Sequence, residues 1–187
     1  MTTVNKLYAP VSYRWAHAVN SKAALEATLA NNNSSMINNA IEADIIFSDQ
    51  QQVPVRGPPP QRDSTLTLEQ FLHTLAQARF QGGNNDHNKA TLVKLDFKSQ
   101  VALEASLALV QAYVTETRFP QGLFWNADLL LGPMQDIEDR QRYGPQFNGS
   151  TFLALAQQTV PDAVLSIGWT TTPHEQDQDI AYTENMV

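Results

Sequence analysis

Cysteine is absent from this chain, which rules out thiol nucleophiles, cysteine-held zinc and disulfides together. Glycine is scarce, 8 in 187 residues, and none of it forms a dinucleotide fingerprint or a Walker loop, so no glycine-rich phosphate cradle is encoded. Basic residues are outnumbered, 12 Lys and Arg against 19 Asp and Glu, for a net charge of −7. Nucleic acid and anionic membranes call for a basic patch, and this balance disfavours both as partners. No apolar run approaches a transmembrane length. Met1 to Pro10 lacks the basic-then-apolar pattern of a signal peptide, which predicts a cytoplasmic protein if the chain starts there and a longer precursor otherwise. Asn32, Asn33 and Asn148 open glycosylation patterns that matter only on a secretory route.

What remains is a globular composition, 42% hydrophobic and 17% charged, in a chain long enough for one domain with a substantial core. The stretch from Asn39 to Phe47 stands out. Alternation along a strand sends Ile41, Ala43 and Ile45 to one face and Glu42 and Asp44 to the other. Ile45-Ile46-Phe47 argues that this strand is interior. Two acids there cost several kcal/mol unless a cation or hydrogen bonds satisfy them, which marks them as a site.

The rest alternates strand and helix. Val11 to His17 reads as a strand, followed by a helix capped at Asn20 or Ser21 and running to Leu29. After the acidic strand comes a long loop, Ser48 to Thr67, carrying Pro54, Pro58, Pro59 and Pro60. A helix striped by Leu68, Phe71, Leu72 and Leu75 follows. Thr91 to Lys98 repeats the acidic pattern, with Lys94, Asp96 and Lys98 sharing a face. A helix from Gln100 to Thr117, a strand from Leu123 to Leu130 with Asn126 and Asp128 on one face, a helix from Phe152 to Gln158 and a strand from Ala163 to Trp169 complete the pattern.

Strict alternation of this kind implies a parallel α/β fold. The polar residues His17, Glu42, Asp44, Asp96, Lys98, Asn126 and Asp128 fall at the C-terminal ends of several strands, where a (β/α)₈ barrel builds its site. A complete barrel runs to about 250 residues. Five parallel strands with outer helices therefore predict an incomplete TIM-type barrel, its C-terminal units missing, forming a curved, open sheet. Residues 1–10 are a leading segment and residues 11–187 the domain.

The blocks Trp15-Ala16-His17-Ala18-Val19-Asn20-Ser21-Lys22, Ile41-Glu42-Ala43-Asp44, Lys94-Leu95-Asp96-Phe97-Lys98, Trp125-Asn126-Ala127-Asp128 and Leu165-Ser166-Ile167-Gly168-Trp169-Thr170 resemble the menorin family. The resemblance runs in order from about Tyr13 to Val187. That family is similar to the phospholipase-C-like phosphodiesterases, which are TIM barrels. Its members continue beyond where this sequence stops, and some act in the extracellular space in neuronal development or tissue maintenance.

The resemblance implies roles residue by residue. His17 stands where those phosphodiesterases keep one catalytic histidine. Glu42, Asp44 and Asp96 stand where they hold a divalent cation, Mg²⁺ or Ca²⁺, for which hard oxygen ligands are suited. Lys98 matches a lysine of related lipases that stabilises charge on phosphorus. By their positions rather than by the resemblance, Asn20, Lys94, Asn126 and Asp128 would support these groups from behind, and Asn126 and Asp128 read equally well as satisfied polar residues of the barrel interior.

A second histidine is expected in the loop after the acidic strand, in a His-Pro-Pro context, and Pro58 occupies that position. Proline transfers no proton, and Arg56, which could bind a phosphate, is a poor acid or base. His73 reads as a surface residue, His87 as solvated and His174 as a marginal candidate for the pocket. Two readings follow. One is a menorin-like binding protein with degenerate catalysis and a retained site for Mg²⁺ or Ca²⁺, engaging cell-surface proteins or a phosphodiester ligand. The alternative is a metal-dependent phosphodiesterase acting on a phospholipid or glycerophosphodiester.

Overall fold

The computed structural model describes residues 13–30, 40–81, 92–117, 122–132 and 146–170. Its elements in chain order are β1 (Trp15–Ala16), α1 (Lys22–Ala30), β2 (Ala40–Phe47), β3 (Pro54–Arg56), α2 (Leu68–Gln81), β4 (Leu92–Phe97), α3 (Gln100–Thr117), β5 (Leu123–Leu130), α4 (Gly149–Thr159) and β6 (Val164–Trp169). The sheet runs β1-β2-β4-β5-β6 with every neighbouring pair parallel. The expected five-stranded parallel α/β sheet is present, and over the described residues it is open.

Local signals explain the helix starts. The Ser21 hydroxyl accepts from the Ala24 amide ahead of α1. Thr67 and Gln70 form a reciprocal capping box on α2, each side chain accepting from the other's amide at 3.1 Å. Ser99 caps α3, and Asn148 caps α4 by accepting from Thr151.

Alternation then sorts the faces. Ile41, Ala43 and Ile45 of β2, Val93, Leu95 and Phe97 of β4, and Trp125 and Ala127 of β5 join one buried cluster with Leu25 of α1, Phe71, Leu72 and Leu75 of α2, Leu103 and Val110 of α3, and Phe152 of α4. The helices thus cover one face of the sheet. The other face is concave. Strands β1 and β5 are separated by β2 and β4, a span of about 14 Å on a flat sheet. Yet Trp15 and Phe124 meet edge to face with ring centroids 5.7 Å apart. Their contact forms an apolar floor at one end of this face, Trp15 opposite Ala40 and Phe124 in register with Lys94.

Two features depart from the sequence-based expectation. Strand β1 is two residues long, where a strand from Val11 to His17 was expected. Residues 11 and 12 lie outside the described range. The proline-bearing segment after β2 is not simply a loop: it returns as β3, antiparallel to β2 with Ile45 opposite Arg56 and Phe47 opposite Pro54. Proline is tolerated there because β3 sits at an edge. At the opposite edge, Leu165, Ile167 and Trp169 of β6 are each more than 40% exposed.

Gly132 secures the exit from β5. A Cβ there would lie 1.9 Å from the Thr170 carbonyl oxygen, a backbone atom that cannot yield without moving the strand. Thr170 in turn donates its amide to Leu130 at 2.8 Å. Replacing Gly132 by Ala is expected to cost about 1–3 kcal/mol, seen as a lower denaturant midpoint. An unchanged midpoint would show that this close approach is not needed.

Candidate functional site

The concave face is organised in rows set by strand register. In the lower row Glu42 of β2 lies opposite Lys94 of β4. In the row above, Asp44 lies opposite Asp96, and Asp96 opposite Asn126 of β5. Opposite charges facing across strands stabilise a sheet and like charges destabilise it. The lower row is self-satisfying, while the upper row needs a cation.

That cation is Lys98. Its Nζ stands 2.9 Å from Asp44 Oδ1 and 2.7 Å from Asp96 Oδ2. Its backbone amide donates to the Ile45 carbonyl at 2.9 Å, which fixes the base of the side chain against β2. The remaining oxygens are also taken. Asn20 donates to Asp44 Oδ2 at 2.6 Å while accepting the Asp44 amide at 3.1 Å. Asn126 donates to Asp96 Oδ1 at 2.7 Å. Lys94 Nζ lies 2.8 Å from Glu42 Oε1, and His17 Nδ1 binds Glu42 Oε2. Every carboxylate oxygen of Glu42, Asp44 and Asp96 therefore has a donor.

Burial alone would raise the Glu42 pKa, but Lys94 and then His17 outweigh it and hold the carboxyl below its ordinary value. This contributes stability at neutral pH that is lost as pH falls through the depressed value. Burial would lower the Lys98 pKa, but Asp96 and Asp44 reverse this and push it above the lysine range. Asp128 behaves oppositely. Burial, reinforced by Asp96 and only partly offset by Lys98 and Lys94, raises its pKa. It has room because Gly168 lies opposite it on β6, where a Cβ would sit 2.1 Å from Asp128 Oδ1.

The structure brings His17, Asn20, Glu42, Asp44, Lys94, Asp96, Lys98 and Asn126 onto one face as a network of two bonded groups, His17–Glu42–Lys94 and Asn20–Asp44–Lys98–Asp96–Asn126, with Asp128 beside it. Pro58 lines an open cleft of about 680 Å³ together with Ala18, Asn20 and Gln61, so it borders this network through Asn20. His73 is on the exposed side of α2, its Nε2 bonded to Gln77. His87 and His174 lie outside the described residues.

Arg56 departs from expectation. It shares the Ile45 side of the β2–β3 ladder, away from the carboxylates, because directly opposed residues of an antiparallel pair project to the same face. There it is fully buried, with its guanidinium 3.6 Å from the centre of the Phe71 ring. It donates through Nη2 to the Val19 carbonyl. Burial draws its pKa down to about 9 against the pull of Asp44. It is a pin for the β1–α1 loop rather than a phosphate contact.

Hard oxygens are the right donors for Mg²⁺ or Ca²⁺, but as arranged they do not form a cation cage. Lys98 and Lys94 stand among them, and Glu42 turns to Lys94 and His17 instead of joining Asp44 and Asp96. Among the described residues no group of three or more His, Asp or Glu side chains is placed to hold a metal ion.

Fold and site together define an open parallel α/β protein whose concave face carries lysine-bridged carboxylates. Residues 11–187 match the Menorin N-terminal domain, and the chain belongs to that family. It is 28% identical over 176 residues to human "Protein FAM151B", an alignment covering 92% of this chain and 55% of that protein. The chain thus spans about half the length of this curated relative. No solved structure matches it. Among the described residues no helix is long and apolar enough to cross a membrane.

Two stability predictions follow from the network. Lys98→Met should cost about 2–4 kcal/mol, somewhat less than a fully buried pair because the site retains partial exposure. Asn20→Ala should cost about 1–3 kcal/mol through its lost bonds to Asp44. Chemical denaturation measures both, and losses within error of zero would mean the network contributes nothing to folding. Asp128→Asn should act in the other direction. A raised folded-state pKa makes the charge a cost that grows as pH climbs past the unfolded-state value. The variant should therefore melt higher at neutral pH, with the difference closing below about pH 3. A variant that melts lower at neutral pH would contradict the assignment.

Proposed function

We propose that this chain is a ligand-binding member of the menorin family in which phosphodiesterase chemistry has degenerated. The open sheet is the first part of a phosphodiesterase-type (β/α)₈ barrel, and its concave face receives an anionic ligand such as a phosphodiester. The parallel order and the polar residues gathered along the concave face of β2, β4 and β5, rather than at the strand ends alone, support this. Association with cell-surface proteins in development or tissue maintenance is the role consistent with family membership.

The observation that carries the reading is Pro58, which lines the cleft beside Asn20. A phosphodiesterase site there needs a second proton-transfer group, and proline offers none. General acid–base catalysis contributes about 10²–10⁴-fold, so its loss leaves binding as the principal activity. The competing reading, a phosphodiesterase using Mg²⁺ or Ca²⁺ on Glu42, Asp44 and Asp96, draws on His17, whose bond to Glu42 orients the ring as a base would require. It needs both lysines to withdraw from those carboxylates.

Hydrolysis of bis(4-nitrophenyl) phosphate, with and without added Mg²⁺ or Ca²⁺, separates the two. The unsubstituted chain should turn over no faster than its His17→Ala variant. Pro58→His should raise the rate by about 10²-fold or more. Turnover by the unsubstituted chain that His17→Ala abolishes would establish the enzyme reading in its place.

A further inference from the structure

We infer that Lys98 is the resident cation of this site: its ammonium takes the place between Asp44 and Asp96 that a divalent ion would take, and the site operates without a metal. The inference rests on the concave face being the functional site, and it specifies how that site is charged.

Three observations carry it. First, Asp44 and Asp96 are in register on adjacent parallel strands, so their carboxylates are forced together by the backbone and require a shared cation. Second, Lys98 Nζ is 2.9 and 2.7 Å from one oxygen of each, the range of charge-assisted N–H···O bonds. Third, the remaining oxygens of Asp44 and Asp96 are closed by Asn20 and Asn126, and both oxygens of Glu42 by Lys94 and His17. A Mg²⁺ ion needs oxygens at about 2.0–2.1 Å in near-octahedral order. To enter, it would have to expel the ammonium and break the side-chain bonds that now fix the carboxylates.

An ammonium and a metal ion differ in what they ask of a ligand. The metal offers open coordination positions. Lys98 has three N–H donors, two of them directed at Asp44 and Asp96, and its side chain is 23% exposed. The third is the contact available to a ligand oxyanion, with Lys94 alongside at the same 23% exposure. An anion held this way is bound by hydrogen bonds from fixed positive charges, and its affinity does not depend on divalent ions.

The test is a thermal melt of the intact chain in millimolar Mg²⁺, or Ca²⁺ in parallel, beside Lys98→Met. A ligand that binds only the folded state raises its melting point. The unsubstituted chain should not respond. Lys98→Met should melt lower and be restored by Mg²⁺, with the ion bound at least about tenfold tighter than by the unsubstituted chain. Mg²⁺ stabilising the unsubstituted chain as much as the variant would overturn the inference. So would a folded Lys98→Met that ignores the ion.

Should Lys98→Met not fold, the unsubstituted chain decides alone. Nitrogen-15 NMR of the lysine ammonium groups follows Lys98 through the Mg²⁺ titration. An unmoved signal upholds the inference, and a released one overturns it. Inorganic phosphate titrated into the unsubstituted chain and into Lys94→Met then addresses the ligand-binding reading separately. Absence of phosphate binding, with the Mg²⁺ results as expected, would remove that reading while leaving the role of Lys98 intact.

Discussion

Two carboxylates placed side by side by strand register are the constraint on which the rest of this site depends. Asp44 and Asp96 are held by backbone hydrogen bonds on neighbouring strands, about 4.8 Å apart along the ladder. Neither can withdraw without disturbing the sheet. The alternation Lys94-Leu95-Asp96-Phe97-Lys98 resolves this locally, because it puts a lysine on the same face before and after the acid. Lys94 serves the lower row and Lys98 the upper. Lysine suits the task better than arginine, since a compact ammonium on a flexible stem can sit between two separate acceptors, whereas a planar fork favours one carboxylate.

The curvature of the sheet makes the arrangement compact. Trp15 and Phe124 close the floor at one end, and the charged rows beside them face a concavity. The loop from β1 to α1 brings His17 and Asn20 in from the side. It is held at several points: the Val19 amide donates to the Glu42 carbonyl at 3.0 Å, and the Val19 carbonyl accepts from Arg56. Ala18 has φ of 50°, a left-handed conformation that costs a non-glycine residue roughly 1–2 kcal/mol and persists because its neighbours are fixed. A cation buried on the helix side therefore helps to place side chains on the carboxylate side.

Much of this was legible in the sequence because strand periodicity alone assigns side chains to faces. Glu42 with Asp44, Lys94 with Asp96 and Lys98, and Asn126 with Asp128 each share a face as alternation predicts. Pairing was not legible. That Asp44 opposes Asp96 rather than Lys94 depends on register, which is set by contacts between strands remote in sequence. Arg56 was misplaced for a related reason. Pro54-Val55-Arg56 sits among prolines and reads as loop, and only its pairing with β2 shows that the guanidinium points into the core against Phe71. The close approaches at Gly132 and Gly168 likewise come from chain segments that meet only in the folded state.

Binding and catalysis make different demands on such a face, and the described residues meet them unequally. Holding an anion requires positive charge, which Lys94 and Lys98 supply beside carboxylates that anchor them. Moving a proton requires groups that exchange it near the operating pH. A lysine whose pKa is driven above its ordinary range by Asp96 and Asp44 is a poor donor, and Asn20 and Asn126 do not titrate. His17 stands in the lower row, bonded to Glu42. The cleft beside Asn20 is lined in part by Pro58, which carries no proton to exchange. The same carboxylate–lysine pairing that makes the face stable thus makes it electrostatically rigid. Under the proposed binding role, that rigidity of charge serves recognition rather than turnover.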